Sequence, residues 1–247
     1  MRTDFESFDL GAKTSADAGE AIENADFVAL PCGSFEQHSK HLPLLTDSIE
    51  ADHLTGEIAR RGDEYDIEIA VLPTLTYGYS EHHMNFPGTV TLDADTYQQV
   101  IEQIGGSMAE HDADRLLIVN HHGGNREPLK LAADRLQRDH DLPTHVILPP
   151  FMDFARDQLN EYFGEGWGHA GDYETSVIEH YHPDLVKSDA KEDQVLKRTF
   201  DTRSPVYFDE MTKQGGLGDP TNADPEFIDE FIDEMVEGIL TRLKDDM

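Results

Sequence analysis

Three short segments carry most of the side chains that could do chemistry. The first, residues 31–47, holds two carboxylates and two imidazoles: Glu36, Asp47, His38 and His41. Nitrogen and oxygen donors without a thiolate suit zinc, manganese or iron(II). Because Glu36 and His38 alternate, an extended backbone points both side chains the same way. The segment therefore predicts a metal site, with a polar surface loop as the alternative.

Two further segments hold the remaining candidates. Residues 120–125 read NHHGGN and contribute His121 and His122, and residues 168–176 read GHAGDYETS and contribute His169 and Glu174. The three segments can form one site only if the fold brings them to the same edge of a sheet. Such an edge is where the active sites of parallel α/β proteins lie.

The elements that must position these segments can be predicted from hydrophobic patterns. Residues 27–30 and 115–119 read as buried strands that end at the first two segments. After Asp47, apolar residues recur at helical spacing until Gly62, a candidate C′ glycine. A simpler interpretation of Asp47 is that it only caps this helix, paired with Glu50 three residues later.

The rest of the chain alternates in the same way between helix and strand. The predicted helices cover 14–24, 97–108, a stretch from Pro128, a stretch from the third segment to Pro183, and a C-terminal helix with Asp224 as N-cap and Pro225 at N1; the further strands cover 67–72 and 146–148. This order predicts an α/β fold, a three-layer α/β/α sandwich with a mainly parallel sheet covered on both faces. A single domain over residues 1–247 is expected for this length.

The apolar stretches and the cysteine content of the chain indicate its cellular environment. No stretch is apolar for long enough to span a bilayer, and the first residues lack the core of a signal peptide, so we expect a cytoplasmic protein without a membrane partner. The one cysteine, Cys32, follows a predicted strand and reads as a small buried residue rather than a nucleophile.

The charge balance is strongly acidic. With 51 acidic and 19 basic residues, the formal net charge is −32 at pH 7. The acidic residues are spread along the chain, which argues against nucleic-acid binding. Such self-repulsion is screened at high salt, so we predict a protein adapted to a halophilic host.

The three segments together resemble the motifs of the creatininase family of metal-dependent amidohydrolases. They read GSFEQHxxHLPLxTD, NxHGGN and HAGxxETS, and two smaller matches are HMNFPGT at 83–89 and GDP at 218–220. The matches run from about residue 27 to about residue 223. Gly124 places the chain in the branch with HGGN, because creatininase itself has a glutamate at that position.

The resemblance implies two divalent metal ions per chain, zinc, manganese or iron. Glu36, Asp47 and His122 match the ligands of one ion, while His38 and the bridging Asp47 match two ligands of the other. We predict Glu174 as the third ligand of the second ion. The alternatives are that Glu174 only hydrogen-bonds a ligand or the metal-bound water, or that one ion is lost.

The resemblance also implies roles around the metals. His169 is the candidate general acid and base, with ligation of the second metal as its alternative. His41 and His121 lie beside ligands and are expected to orient them. Predicted substrate-binding residues are Tyr79 and His83 in the loop 76–88, and Trp167 in a segment, 151–168, that could close over the site; Asn125 is a candidate helix cap.

The implied activity is hydrolysis of a C–N bond in a small cyclic amide or formamide by a metal-bound hydroxide. Ser39 and His121 stand where the family usually has glycine, which argues against creatinine itself. A formamidopyrimidine of flavin or deazaflavin biosynthesis fits this interpretation. The alternatives are a mycofactocin-type peptide hydrolase and a non-catalytic, metal-stabilised subunit. The expected partners are the small amide and further copies of the chain, in a homo-oligomer such as a hexamer.

Overall fold

A parallel sheet of four strands forms the centre of the computed structural model, which describes residues 1–2, 4–149, 154–164, 167–194 and 207–247. The strand order is β2-β1-β3-β4, and every pair is parallel. The four strands are β1 Phe27–Cys32, β2 Ile69–Val71, β3 Leu116–Asn120 and β4 Thr144–Ile147.

Helices connect and flank these strands. The α-helices of the described residues are α1 Ser15–Asn24, α2 Thr46–Arg61, α3 Ala94–Glu110, α4 Arg126–His140, α5 Arg156–Phe163, α6 Asp172–Tyr181, α7 Phe208–Met211 and α8 Phe227–Asp245. Single 3-10 turns cover Leu10–Ala12, Gly62–Tyr65, Glu81–His83, Gly123–Asn125, Pro183–Leu185, Ser188–Ala190 and Pro220–Asn222.

The two faces of the sheet bury separate sets of apolar side chains. Phe27 and Ala29 of β1 point to the face covered by α2, α6 and α8, where Phe231 is fully buried. Leu30 and Cys32 point to the opposite face, which α3 and α4 cover. This alternation follows from the period of two along a strand. The predicted three-layer α/β/α sandwich is confirmed.

Several element ends differ from the predictions. Leu45, not Asp47, is the N-cap of α2, and Asp47 lies inside the first helical turn. The prediction of Asp47 as a mere cap is therefore wrong. At the other end, Gly62 has φ −53 and continues into a 3-10 turn, so it is not a left-handed C′ glycine. A Cβ at Gly62 would collide with the Ile67 carbonyl oxygen, which explains the glycine by close backbone approach.

The last helix also begins later than predicted. Its N-cap is Glu226, while Asp224 accepts a hydrogen bond from the Glu226 amide at 3.0 Å and closes a turn before the helix. Part of the predicted closing segment, residues 151–153 and 165–166, lies outside the described residues; the remainder includes α5 and Trp167. None of the helices in the described part of the chain is long and apolar enough to cross a membrane.

Candidate metal centre

The three predicted segments meet at the carboxyl edge of the sheet. Strand β1 leads into residues 33–47, and β3, paired with it from Val28–Leu116 to Cys32–Asn120, leads into the second segment. The third segment reaches the same edge through the first turn of α6. Parallel pairing places both strand ends side by side, so the loops that follow share one site.

Asn125 fastens the loops to one another. Its amide donates to the Gly33 carbonyl and to Asn120 Oδ1, both at 3.0 Å, and its Oδ1 accepts from the Tyr79 amide at 2.9 Å. Asn125 occupies the N-cap position of α4, but its side chain makes no capping bond. Its side chain therefore joins three segments instead of capping a helix.

One group of potential metal donors consists of Glu36, Asp47 and His122. His122 Nδ1 lies 3.0 Å from Asp47 Oδ2 and 3.3 Å from Glu36 Oε2. The other ring nitrogen of His122 donates to the Tyr79 carbonyl at 3.0 Å, which leaves Nδ1 for ligation. Ser34 Oγ donates to Asp47 Oδ2 at 2.8 Å and fixes that carboxylate.

A second group lies on the other side of Asp47. His38 Nε2 is 3.0 Å from Asp47 Oδ1 and 3.6 Å from Glu174 Oε2. His38 Nδ1 donates to the Glu36 carbonyl at 3.1 Å, so Nε2 is its free nitrogen. Glu174 Oε2 also accepts from the Ala170 amide at 2.5 Å. The two oxygens of Asp47 thus face two separate sets of donors.

His169 reaches both groups. Its Nδ1 lies 3.7 Å from Glu36 Oε1, and its ring centroid is 4.2 Å from that of His38. Its Nε2 donates to the Gln37 carbonyl at 2.8 Å. Donor atoms of His38, His169 and Glu174 lie within 4.8 Å of one another. The geometry therefore accommodates His169 both as an acid and base and as a metal ligand.

His83 lies deeper than a substrate-facing wall would require. It is 1% exposed, and its Nε2 is 3.2 Å from Glu36 Oε1. Gln37 Nε2 lies 2.7 Å from His83 Nδ1 and donates to it, so the Nε2 proton of His83 points at Glu36. This arrangement orients Glu36, although His83 also lines the cavity described below.

Glu50 is a buried carboxylate that the sequence analysis treated only as a capping partner. Its donor atoms group with those of Asp47 and Glu174 within 4.8 Å. His121 Nδ1 lies 3.3 Å from Glu50 Oε2. Residues three apart on a helix share a face. The spacing of Glu50 from Asp47 could therefore have predicted that Glu50 lies beside the metal donors. His41, the other predicted neighbour of the ligands, has its Nε2 2.9 Å from Thr175 Oγ1.

Burial and mutual charge perturb these groups strongly. Burial by itself would lower the pKa of His38, but Asp47, Glu174 and Glu36 outweigh it and raise the pKa to about 10. Burial and Glu36 would raise the pKa of Asp47, yet His38 and His122 hold it well below its usual range. Burial raises the pKa of Glu174. Clustered buried carboxylates thus require positive charge beside them.

This donor set fits divalent cations. It is buried, contains only imidazole nitrogens and carboxylate oxygens, and includes Glu36 Oε2, which accepts no hydrogen bond of good geometry from the described residues. A divalent cation would supply the positive charge that protonated imidazoles otherwise provide. Cys32 adds no thiolate, since burial raises its pKa to about 12.

A cavity of about 340 Å³ opens onto the donor groups. Trp167, Phe208 and Arg126 line it together with Glu36, Asp47, His122, His169 and Glu174. Trp167 Nε1 donates to Asn160 Oδ1 at 2.7 Å, which holds the indole in place. Tyr79 is not among the described residues that line the cavity; it contacts the site through its backbone, so its predicted substrate role stays a prediction.

Known proteins are similar to this chain in sequence. A family model described as creatininase, creatinine amidohydrolase, matches residues 12–243. The mycofactocin precursor peptide peptidase of Mycolicibacterium smegmatis is 31% identical over 240 residues, covering 95% of this chain and 90% of that protein. The creatinine amidohydrolase of Pseudomonas putida is 31% identical over 176 residues, covering 65% of this chain and 66% of that protein.

Solved structures of creatininases are similar to this chain in fold. A creatininase structure named for Mn superposes with a TM-score of 0.84 at 26% identity and covers 98% of this chain and 99% of that chain. A mutant creatininase of the Zn-Zn type superposes with a TM-score of 0.82 at 26% identity and the same coverage.

Proposed function

The chain belongs to the creatininase family, and on this premise we propose that it hydrolyses an amide C–N bond at a binuclear metal centre. One observation carries the proposal. The two oxygens of Asp47 lie 3.0 Å from His122 on one side and 3.0 Å from His38 on the other. A carboxylate between two donor sets is what two neighbouring ions require as a bridge.

The proposed ligands follow from the two donor groups. Glu36, His122 and Asp47 would hold one ion, and His38, Glu174 and Asp47 the other. When bound, such ions polarise the amide carbonyl and acidify water, which supplies a nucleophile near neutral pH. Zinc and manganese are the leading candidates, because structures of similar creatininases are named for these metals; iron suits the same donors.

His169 is the proposed proton carrier. Burial, followed by the neighbouring His38, lowers the pKa of His169 to about 3, so its imidazole is neutral and one ring nitrogen can accept a proton. Because Nε2 donates to the Gln37 carbonyl, Nδ1 is the nitrogen that exchanges the proton. In the net reaction, water gives its hydroxyl to the carbonyl carbon and its proton to the leaving nitrogen as the C–N bond breaks. The products are a carboxylic acid and an amine.

The substrate class that the cavity supports best is a small cyclic amide or formamide. A volume of about 340 Å³ accommodates a compact molecule and lies at the low end for ligand pockets. A formamidopyrimidine is one candidate of that size. Short-peptide hydrolysis is the second candidate, favoured because the mycobacterial peptide peptidase aligns with 95% of this chain. For a peptide, only the terminal residues would enter the cavity.

The proposal extends to assembly and location. We propose a homo-oligomer such as a hexamer, in the cytoplasm of a salt-adapted host, on the strength of the family resemblance and the net charge of −32. Light scattering after size-exclusion chromatography in high salt would measure the mass of the assembly. A monomer across the accessible concentration range would contradict this part of the proposal.

The test of the proposed function combines metal content with activity. Protein purified in high salt without chelators should hold two ions per chain and hydrolyse at least one member of a panel of cyclic amides, formamidopyrimidines and short peptides. His169→Ala should retain the metal and lose most of the turnover. A wild type with bound metal and no activity on any amide would favour the non-catalytic subunit instead. A chain that retains no metal would overturn the mechanism.

A further inference from the structure

Arg126 introduces a positive charge into a cavity otherwise dominated by carboxylates and imidazoles. It is half-buried and lines the cavity at the first residue of α4. No carboxylate of the described residues lies within ion-pair distance of its guanidinium. By contrast, Arg135 on the same helix pairs with Glu102 at 3.0 Å. Arg126 is therefore available to a ligand in the cavity.

The backbone around Arg126 adds to this positive charge. The turn Gly123–Asn125 connects His122 to Arg126, and Gly123 lines the same cavity. The N-terminal end of α4, a helix of 15 residues, thus lies at the cavity. Helix N-termini carry partial positive charge; the amides of Asn125 and Arg126 themselves donate to the His122 and Gly123 carbonyls. Gly123 and Arg126 thus line the same cavity as the metal donors Glu36 and Glu174.

A guanidinium recognises one kind of ligand group especially well. Its planar array of donors matches the two oxygens of a carboxylate or phosphate, and such charge-assisted bonds are about twice as strong as neutral ones. A protein with a net charge of −32 repels anions at long range. Salt screens this long-range repulsion. Inside the cavity, the guanidinium of Arg126 has no acidic partner among the described residues and can therefore bind an anionic group.

We propose that Arg126 is a specificity-determining residue that binds an anionic group, a carboxylate or a phosphate, on the substrate. This inference rests on the proposed amide hydrolysis, because it concerns the part of that substrate away from the scissile bond. The preferred substrate is accordingly an amide or formamide that carries a negative charge. A neutral cyclic amide lacks the group that Arg126 binds.

Matched pairs of small amides test this assignment in the full chain saturated with Mn²⁺. The carboxylate pair is N-acetylglycine and N-acetylglycinamide, and the phosphate pair is N-acetylethanolamine phosphate and N-acetylethanolamine. Calorimetric titration at constant high salt should show that one charged member binds about tenfold more tightly than its neutral partner, or better. The pair that shows the preference identifies the anion.

Substitutions assign the preference to Arg126. Arg126→Gln should abolish it, and Arg126→Lys should keep only part of it, because an ammonium ion cannot form the paired bonds. Arg135→Gln makes the same change in charge on the same helix but outside the cavity, and should leave the preference intact. Circular dichroism and Mn²⁺ content show that each variant is folded.

Several results would overturn the assignment. These are equal affinities within both pairs, no binding of either charged member, or a preference that survives in Arg126→Gln. Failure of the proposed function is distinguishable, because it shows as missing metal or missing amide hydrolysis in the wild type, and neither measurement depends on Arg126.

Discussion

Glu174 Oε2 lies 3.6 Å from His38 Nε2, so the first turn of α6 brings a carboxylate to the second group of metal donors. In the family pattern, creatininase itself has a glutamate at the position where this chain has Gly124. A Cβ at Gly124 would collide with the Tyr79 carbonyl oxygen and with the His122 ring. The loop therefore has no room for a side chain there, and the carboxylate has to come from another element.

The first prediction concerns this carboxylate. Glu174→Gln should reduce the metal content from about two ions per chain to about one, because it removes a charged ligand from only the second donor set. Elemental analysis of the purified protein measures the ratio. Glu179→Gln is the matched control, since Glu179 lies on the same helix and pairs with Lys191 away from the cavity. Two ions retained by Glu174→Gln would exclude ligation by Glu174.

Replacing Asp47, the carboxylate shared by both donor groups, should reduce the metal content further than replacing Glu174. Asp47→Asn should lose both ions and lower turnover at least about a hundredfold, because each donor set loses its common anion. Elemental analysis and the rate on an active amide give the two values. Asp134→Asn, on the exposed side of α4, should change neither. A variant that still binds one ion tightly would show that Asp47 does not bridge.

The amide of Asn125 should contribute strongly to stability. Asn125→Ala leaves the Gly33 carbonyl, Asn120 Oδ1 and the Tyr79 amide without their shared partner. Unpaired buried groups of this kind cost about 2–4 kcal/mol in the free energy of unfolding. Denaturant unfolding at constant salt measures the loss. The exposed Asn24→Ala is the comparison, and equal stability of the two variants would contradict this role.

Histidine 53 should make the protein sensitive to mild acid. Burial, followed by the Met1 amino group and His182, lowers the pKa of His53 to about 3 in the folded chain. The unfolded chain binds a proton below its ordinary pKa of about 6.5, so folding loses stability as the pH falls through that value. His53→Gln should remove about 1 kcal/mol of the loss between about pH 6.5 and about pH 5.5.

The measurement for His53 is the free energy of unfolding as a function of pH. The ring of His53 stacks on Tyr181 at 3.8 Å, and loss of that contact shifts the whole curve without changing its slope. The slope below neutral pH is therefore the informative quantity. His111→Gln, at an exposed position, should preserve the wild-type slope. The same slope in His53→Gln and wild type would show that His53 does not drive the acid response.

Salt should stabilise the fold. The chain has 51 acidic and 19 basic residues, so repulsion between like charges destabilises the compact state. At about 1 M salt the Debye length falls to about 3 Å, which screens this repulsion. The melting temperature should therefore rise with KCl from low to molar concentration. Equal osmolality from sucrose separates charge screening from a general solute effect. A melting temperature independent of KCl would contradict salt adaptation.

Local patterns explain why much of the fold was predictable. Buried parallel strands such as β3 are continuous apolar runs. In the helices between them, apolar residues recur at the helical period. The element ends were less predictable, because competing local interactions decide them. Asp224 closes a turn with the Glu226 amide instead of capping α8. Gly62 is required by the close approach of the Ile67 carbonyl oxygen, which follows the 3-10 turn that Gly62 begins.

The sequence by itself determined the α/β class, the family and the donors near its motifs, because these depend on residue types and short spacings. Only the tertiary structure placed Glu174 beside His38 and let the Asn125 side chain hydrogen-bond to the Gly33 carbonyl. It also left Arg126 without a carboxylate partner among the described residues. Each of these relationships joins residues far apart in the chain. Distances of that kind depend on how the helices pack against the sheet, and no local pattern encodes them.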